Sequence, residues 1–324
     1  MSRVTSWHQD KEKFEAMIQI HGSPTRAARV EGGISERRAR EIWNQIQSGV
    51  APAKRSEPAP IVDSVPANDA RVLYVDIETS PNIADVWGLW NQNVGLTQLR
   101  ESSRIIGFGA KWRGAKRVQW YSEYNRETGE LSEHEAMLQA AYDLYEEADV
   151  VVTYNGDRFD HLHFNAEWVT AGMTPPSPVK SIDLYKTVKK NFRFPSNKLA
   201  YVADRLIGDT KVSNGGHLLW RHCLDPEVDA ETRRKAWNMM ARYCRQDVAL
   251  MEPLHDKLEP WLPATVNMAL IGGSPEGCTK CGGCSLEKRG IAYTASRAYQ
   301  QFRCRDCGGW LRGTLHKSAK TALA

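Results

Sequence analysis

Two carboxylates, Asp76 and Glu78, stand two residues apart in the run "VLYVDIETSP". The opening of that run is apolar and aromatic and reads as a buried strand. Side chains alternate across a strand, so both acids leave one face while Ile77 leaves the other. Two anions placed there lose hydration and repel each other. A divalent cation relieves both costs, and hard oxygen ligands suit Mg²⁺ or Mn²⁺. A solvent-exposed acidic pair at a strand end is the plain alternative for this segment alone. Two other segments strengthen the cation reading. "VVTYNGDRFDHLHF" delivers Asp160 just past a second strand, at the start of a helix. "ARYCRQDVALM" sets Tyr243 and Asp247 four apart on one helical face, beside the apolar row Met240, Cys244, Val248 and Met251. His161 and His163, just after Asp160, read as ordinary hydrogen-bonded histidines rather than ligands.

A second set of ligands is sulfur. "CTKC" and "CRDC" form two Cys-x-x-Cys knuckles with 22 residues between them, close to the spacing of a zinc ribbon. Cys278, Cys281, Cys304 and Cys307 are the expected ligands of one structural Zn²⁺, with Cys284 as a possible substitute for Cys281. Cys223 and Cys244 read as buried thiols. Five of the seven cysteines fall within residues 278 to 307, which suits metal in a reducing compartment better than a disulfide framework.

These residues need elements to hold them. A length of 324 residues with 41% hydrophobic content allows one sizeable core plus smaller modules. Strand-like runs come first: "RVLYVDIE", "IADVWGLW", "RIIGFGAKW" and "RVQWYS". The helical "HEAMLQAAYDLYEEA", the buried strand "DVVVTYN" and longer helices to about residue 259 follow. This order predicts an α/β fold, a mixed sheet flanked by helices. Trp87, Trp90, Trp112, Trp120, Trp220 and Trp237 are expected in packing, with one or two near the site able to stack on a base.

"VDIETSP", "NGDRFD" and "YCRQD" resemble, in order and spacing, the three motifs of the DnaQ-like 3′–5′ exonucleases, the DEDD superfamily with a ribonuclease H-like fold. Tyr243, four residues before Asp247, resembles the tyrosine subclass, and the second motif resembles proofreading domains of family B polymerases. The resemblance covers about residues 70 to 260 and extends to "IDLYKTVKKNFRFPSNKLAYVADRLIG" between the second and third motifs. It implies a phosphodiesterase whose catalytic residues are Asp76, Glu78, Asp160, Tyr243 and Asp247. The four acids would hold two Mg²⁺ or Mn²⁺ ions, and Tyr243 would orient the attacking water. The whole arrangement is similar to stand-alone bacteriophage exonucleases, which implies a role in DNA replication, repair or recombination in a bacterial cytoplasm.

The segments outside that core point to nucleic acid as well. Residues 1–49 form a helical head in which Phe14, Met17 and Ile18 share a face, as do Ala39, Ile42, Trp43 and Ile46. Arg37, Arg38 and Arg40 are left outward, as in a helix-turn-helix whose last helix reads a groove. A three-helix module for protein contacts is the alternative. Residues 50–70 read as a Pro/Ala-rich linker, 275–315 as the ribbon and 316–324 as a basic tail, with 71–262 as the ribonuclease H-like exonuclease domain that the resemblance implies. Residues 1–60 carry ten Lys/Arg against seven Asp/Glu, and residues 276–324 nine against three. The middle is therefore acidic, which suits basic flanks on a polyanion and a centre that holds cations. In the ribbon, Lys288, Arg289, Arg303 and Arg305 interleave with Tyr299 and Trp310, a mixture fit for backbone contact and base stacking. A ribbon that only docks protein is the alternative there.

DNA, single-stranded or at 3′ ends, is thus the expected partner, with a polymerase or replication protein engaged in trans. The N-terminus lacks a signal-peptide core and no apolar run reaches membrane-spanning length, so a cytoplasmic location is expected. Two competing functions remain open from sequence: an inactive ribonuclease H-like DNA-binding regulator, and an enzyme acting on RNA or structured junctions.

Overall fold

The computed structural model describes residues 11–31, 39–40, 42–43, 46, 70–209, 215–263 and 265–318. They fall into two units, Met1–Ser64 and Val65–Ala324.

In the smaller unit, α1 (Lys11–His21) stops where Gly22 takes φ +79°, its N–H bonding the Ile18 carbonyl at 2.7 Å. Ser23 then caps α2 (Pro24–Glu31): its Oγ accepts the Arg26 N–H at 3.2 Å, and Pro24 sits at the first helical position, where no N–H is needed. Phe14, Ile18, Ala27, Ala28, Ala39 and Ile42 form a buried core, with Met17, Trp43 and Ile46 packed on it. The two apolar rows read from sequence therefore meet. Arg40 is half-buried. Arg37 and Arg38, the linker up to residue 69 and the end of the tail from residue 319 lie outside the described residues.

The larger unit is built on a five-stranded mixed sheet in the order β5–β4–β1–β6–β7. Its strands are β1 (Val72–Thr79), β4 (Ile105–Trp112), β5 (Gln119–Ser122), β6 (Val150–Thr153) and β7 (Lys180–Asp183). β1 pairs antiparallel with β4 and parallel with β6. Two short strands, β2 (Ile83–Ala84) and β3 (Leu99–Glu101), pair with each other between β1 and β4. Only two residues of the strand expected over "IADVWGLW" are strand. That run has β-propensity, but past Asp85, whose N–H bonds the Gln98 carbonyl, it has no paired strand among the described residues.

Helices cover both faces. α3 (His134–Glu147) and α4 (Asp160–Thr170) pack with Leu73, Val75 and Ile77 of β1. Opposite them, Val72 and Tyr74 pack with Val248, Met251, Leu254 and Leu258 of the 29-residue α8 (Ala230–Leu258). α5 (Leu184–Asn191), α6 (Leu199–Ile207) and α7 (His217–Leu224) connect β7 to α8. After α8, α9 (Met268–Ile271) leads into a three-stranded sheet, β10–β9–β8, made of β8 (Leu286–Tyr293), β9 (Arg297–Cys304) and β10 (Trp310–Ser318). Among the described residues, no helix is long and apolar enough to cross a membrane.

Candidate active site

Asp76 and Glu78 continue the Val72–Tyr74 side of β1, so they face α8. Asp76 lies opposite Gly109 of β4. A Cβ on Gly109 would stand 2.9 Å from Val248 Cγ2 and 3.1 Å from Cys244 Sγ, so glycine there lets α8 approach the acids. Asp247 of that helix is 2% exposed and Cys244, one turn earlier, is fully buried.

Asp160 arrives from the opposite side. β6 pairs with β1 only as far as Tyr74. Beyond that point the β1 edge is open, and the Ile77 N–H donates to Asp160 Oδ1 at 3.1 Å. A tight turn delivers the acid: Asn155 takes φ +75°, and a Cβ on Gly156 would lie 2.4 Å from Thr153 Cβ. Asp160 is 3% exposed. Burial, reinforced by the nearby Asp183 charge, pushes its carboxyl up to about 7 despite the Ile77 bond.

Two further residues stand beside these acids, the first of them not singled out from sequence. Asp183 caps α5, its Oδ1 accepting N–H groups from Tyr185 and Asn155 at 3.0 and 2.9 Å, while Oδ2 is buried without a hydrogen bond. Its closeness to Asp160 comes from the β6–β7 pairing. Cys244 fits the expectation of a buried thiol and does more: Asp76, Glu78 and Cys244 offer ligand atoms within 4.8 Å of one another. Its Sγ lies 3.9 Å from Asp76 Oδ2. Burial and the charges of Asp76, Glu78 and Asp247 push the thiol far up, so it is a protonated donor beside the carboxylates. Asp160 and Asp247 are not part of that tight group.

Tyr243 is half-buried, and its ring meets Trp220 edge-on at 6.4 Å. The Trp220 indole N–H donates to the Thr79 carbonyl at 3.0 Å. A groove of about 320 Å³ opens here, lined among others by Glu78, Pro81, Phe159, His217 and Trp220. His161 bonds Tyr145 and Ser181 at 3.0 and 3.1 Å. Trp237 is buried and Trp112, Trp120 and Trp220 are half-buried. Trp87 and Trp90 are not in packing: they are 98% and 85% exposed.

Asp76 and Glu78 of β1, Asp160 of α4 and Asp247 of α8 offer carboxylate oxygens, the donor type that hard divalent cations take. A family model described as RNase_H superfamily matches residues 73–259. The chain belongs to the RNase_H superfamily. The matched segment of this superfamily member runs from β1 to the end of α8 and so contains every acid of the site. A family B DNA polymerase from the hyperthermophilic archaeon Pyrobaculum calidifontis is similar in structure, with 14% identity and a TM-score of 0.40. The match covers 75% of this chain and 32% of the polymerase, about a third of that protein's length. No curated protein matches the sequence.

The second metal-competent group is the cysteine set. The sulfurs of Cys278, Cys281, Cys304 and Cys307 lie within 4.8 Å of one another, with Cys278–Cys307 and Cys281–Cys304 each at 3.8 Å. Tetrahedral bonds of ~2.3 Å from sulfur to zinc require sulfurs about 3.8 Å apart. Backbone N–H groups of Lys280, Gly283 and Gly309 donate to Cys278, Cys281 and Cys307, each at 3.4 Å. Cys278 is held far below the usual thiol range by hydrogen bonds from Cys281 and Cys307. Cys284 is exposed and outside the group.

In the β8–β10 sheet, Arg303 pairs with Trp310 and Glu287, and Gln301 with Arg312. Alternation therefore puts Tyr299, Arg303, Trp310 and Arg312 on one face. The Arg312 guanidinium lies 5.2 Å over the Tyr299 ring. Lys288, opposite Phe302, belongs to the other face. Arg289 and Arg305 are ion-paired to Glu287 at 3.1 and 3.7 Å.

Proposed function

We propose that this chain is a metal-dependent 3′–5′ exonuclease that hydrolyses phosphodiester bonds at DNA 3′ ends in replication, repair or recombination. The observation that carries the reading is the convergence of the three sequence motifs on the carboxyl end of β1. Asp160 is hydrogen-bonded at Ile77, between Asp76 and Glu78, while the helix carrying Asp247 packs on the same strand. Asp76, Glu78, Asp160 and Asp247 would hold two Mg²⁺ or Mn²⁺ ions, which when bound activate water and offset charge on the leaving 3′ oxygen. Tyr243, whose ring meets that of the groove residue Trp220, would orient the attacking water. Phe159 and Trp220 flank the space in which the terminal nucleotide would sit.

The four cysteines would hold one structural Zn²⁺. The face bearing Tyr299, Arg303, Trp310 and Arg312 would hold nucleic acid outside the cleft, and the helical head, with Arg37, Arg38 and Arg40, is a further proposed DNA contact. A polymerase or other replication protein would be met in trans.

The test is digestion of 5′-labelled single-stranded DNA, duplex DNA and RNA with Mg²⁺, with and without chelator. A ladder shortening one nucleotide at a time from the 3′ end of DNA is expected, abolished by chelator and by Asp160→Asn. Internal cuts, shortening from the 5′ end or inert DNA would overturn the reading.

A further inference from the structure

Between β1, which carries Asp76 and Glu78, and the next core strand, β4, the chain inserts an arm. Its base is stapled. The Ser80 N–H donates to the Arg104 carbonyl at 2.8 Å, and Ser80 Oγ accepts the Arg104 N–H at 3.0 Å. Ser103 bonds the Ser80 carbonyl through Oγ at 2.6 Å and the Asn82 side chain through its N–H at 2.7 Å. Above the staple, β2 and β3 form the stem, closed by paired bonds between Asp85 and Gln98 at 2.9 and 2.8 Å.

The tip contradicts the usual economy of a surface loop. Trp87, Leu89, Trp90 and Leu96 are 98%, 86%, 85% and 88% exposed. Residues 86–99 contain no charged side chain, only apolar residues, glycine and neutral polar groups. Large apolar side chains exposed together on one short segment are a mark of a binding site. An indole with its faces free is a stacking platform of about 150–250 Å².

Position and chemistry select the occupant. The arm starts two residues after Glu78, and the groove that begins at Glu78 is lined by Ser80 and Pro81 at the arm's root. Phe159 and Trp220 line the same groove, so the space at the arm's root is itself partly aromatic. A neutral tip with two indoles matches base faces, which every nucleotide presents, rather than phosphates, which would call for cations.

We propose that Trp87 and Trp90 stack on unpaired bases of a polynucleotide whose end lies in the Glu78 groove. The identity of that end rests on the nuclease reading above, whereas the stacking is measurable without turnover.

The test uses the full chain in chelator, with fluorescence anisotropy of a dye-labelled twelve-nucleotide thymidine strand. Trp87→Ala/Trp90→Ala should weaken binding about tenfold or more at every salt concentration, with the slope against log salt unchanged and thermal stability retained. Trp87→Phe/Trp90→Phe should restore most of the affinity. A strand made abasic near its 3′ end should bind the wild type about tenfold more weakly, with no further loss in the double alanine variant. Wild-type affinity in that variant, or independent and additive losses, would overturn the proposal. So would a wild-type dimer that the variant abolishes while strand binding is unchanged, since the arm would then join copies of the chain. If wild-type protein fails to cut any strand in Mg²⁺, the nuclease reading fails, and the anisotropy series still decides the stacking.

Discussion

Asp160 Oδ1 accepts the Ile77 backbone N–H at 3.1 Å, fixing the acid of α4 to the main chain between Asp76 and Glu78. The bond separates the structural role of the residue from its charge. Asp160→Asn keeps an oxygen acceptor for that N–H and removes the anion. Cleavage of labelled DNA should fall by at least about a hundredfold, the scale of losing one preorganised electrostatic group, with melting temperature near wild type. Asp160→Ala should lose the same activity and also melt lower, because it leaves a buried N–H unsatisfied.

Two titrations should shape stability against pH in the presence of chelator. The Asp160 carboxyl is raised to about 7 by burial and by the Asp183 charge. Its contribution is fully present below the ordinary carboxylate value, ~3.9, and is lost as pH climbs through about 7. His134 is raised to about 9 by the carboxylates of Glu123 and Glu167, 3.4 and 3.3 Å from its ring nitrogens. Its contribution is complete below ~6.5 and is lost as pH climbs through about 9. Melting temperatures from pH 4 to 10 should therefore decline in two windows. Asp160→Asn should flatten the lower and His134→Gln the upper, and Mg²⁺ should bind more tightly as pH rises through the lower one.

Alternation in "VLYVDIET" and the row Met240, Cys244, Val248, Met251 were legible because each is a local period imposed by one element, and both rows are buried as read. The head's two apolar rows were legible for the same reason. What escaped depends on contacts between segments far apart in the chain. Nothing local in the sequence singles out Asp183, and parallel pairing of β6 with β7 sets its charge beside Asp160. Cys244 reads as one more apolar position, and only packing of α8 on β1 brings its sulfur to Asp76. The indoles of Trp87 and Trp90 read as core because aromatic residues usually find partners, yet the arm gives them none of the sheet's cover.

Gly109 is the position where backbone shape most directly sets the site. A methyl group there meets Val248 Cγ2 at 2.9 Å and Cys244 Sγ at 3.1 Å, both on α8. Gly109→Ala should push the helix outward, costing ~1–3 kcal/mol by overpacking and moving Asp247 away from Asp76. The expected result is a melting temperature several degrees lower and cleavage reduced by more than the stability loss explains at a temperature where the variant is folded. Wild-type cleavage by folded Gly109→Ala would show that the site tolerates such a shift.

The cysteine group makes a prediction of stoichiometry. The core of the β8–β10 module consists of Cys278, Cys304 and Leu311, with Cys281, Leu286, Phe302 and Cys307 packed against it. So few apolar groups offset little of the entropy of ordering three strands, and a zinc ion on the four cysteines would supply the missing folding energy. Sulfurs 3.8 Å apart are also too distant for disulfides, whose S–S bond is ~2.05 Å. Elemental analysis of the purified chain should find one zinc per molecule. Cys278→Ser and Cys307→Ser should each lose it, with fast amide exchange spreading through β8–β10 while β1, β4 and β6 stay protected. Cys284→Ser should keep the ion, because that thiol is exposed and stands apart from the four. Zinc lost from Cys284→Ser but kept by Cys281→Ser would reassign the ligand set, and full amide protection of metal-free β8–β10 would show that the strands hold together without an ion.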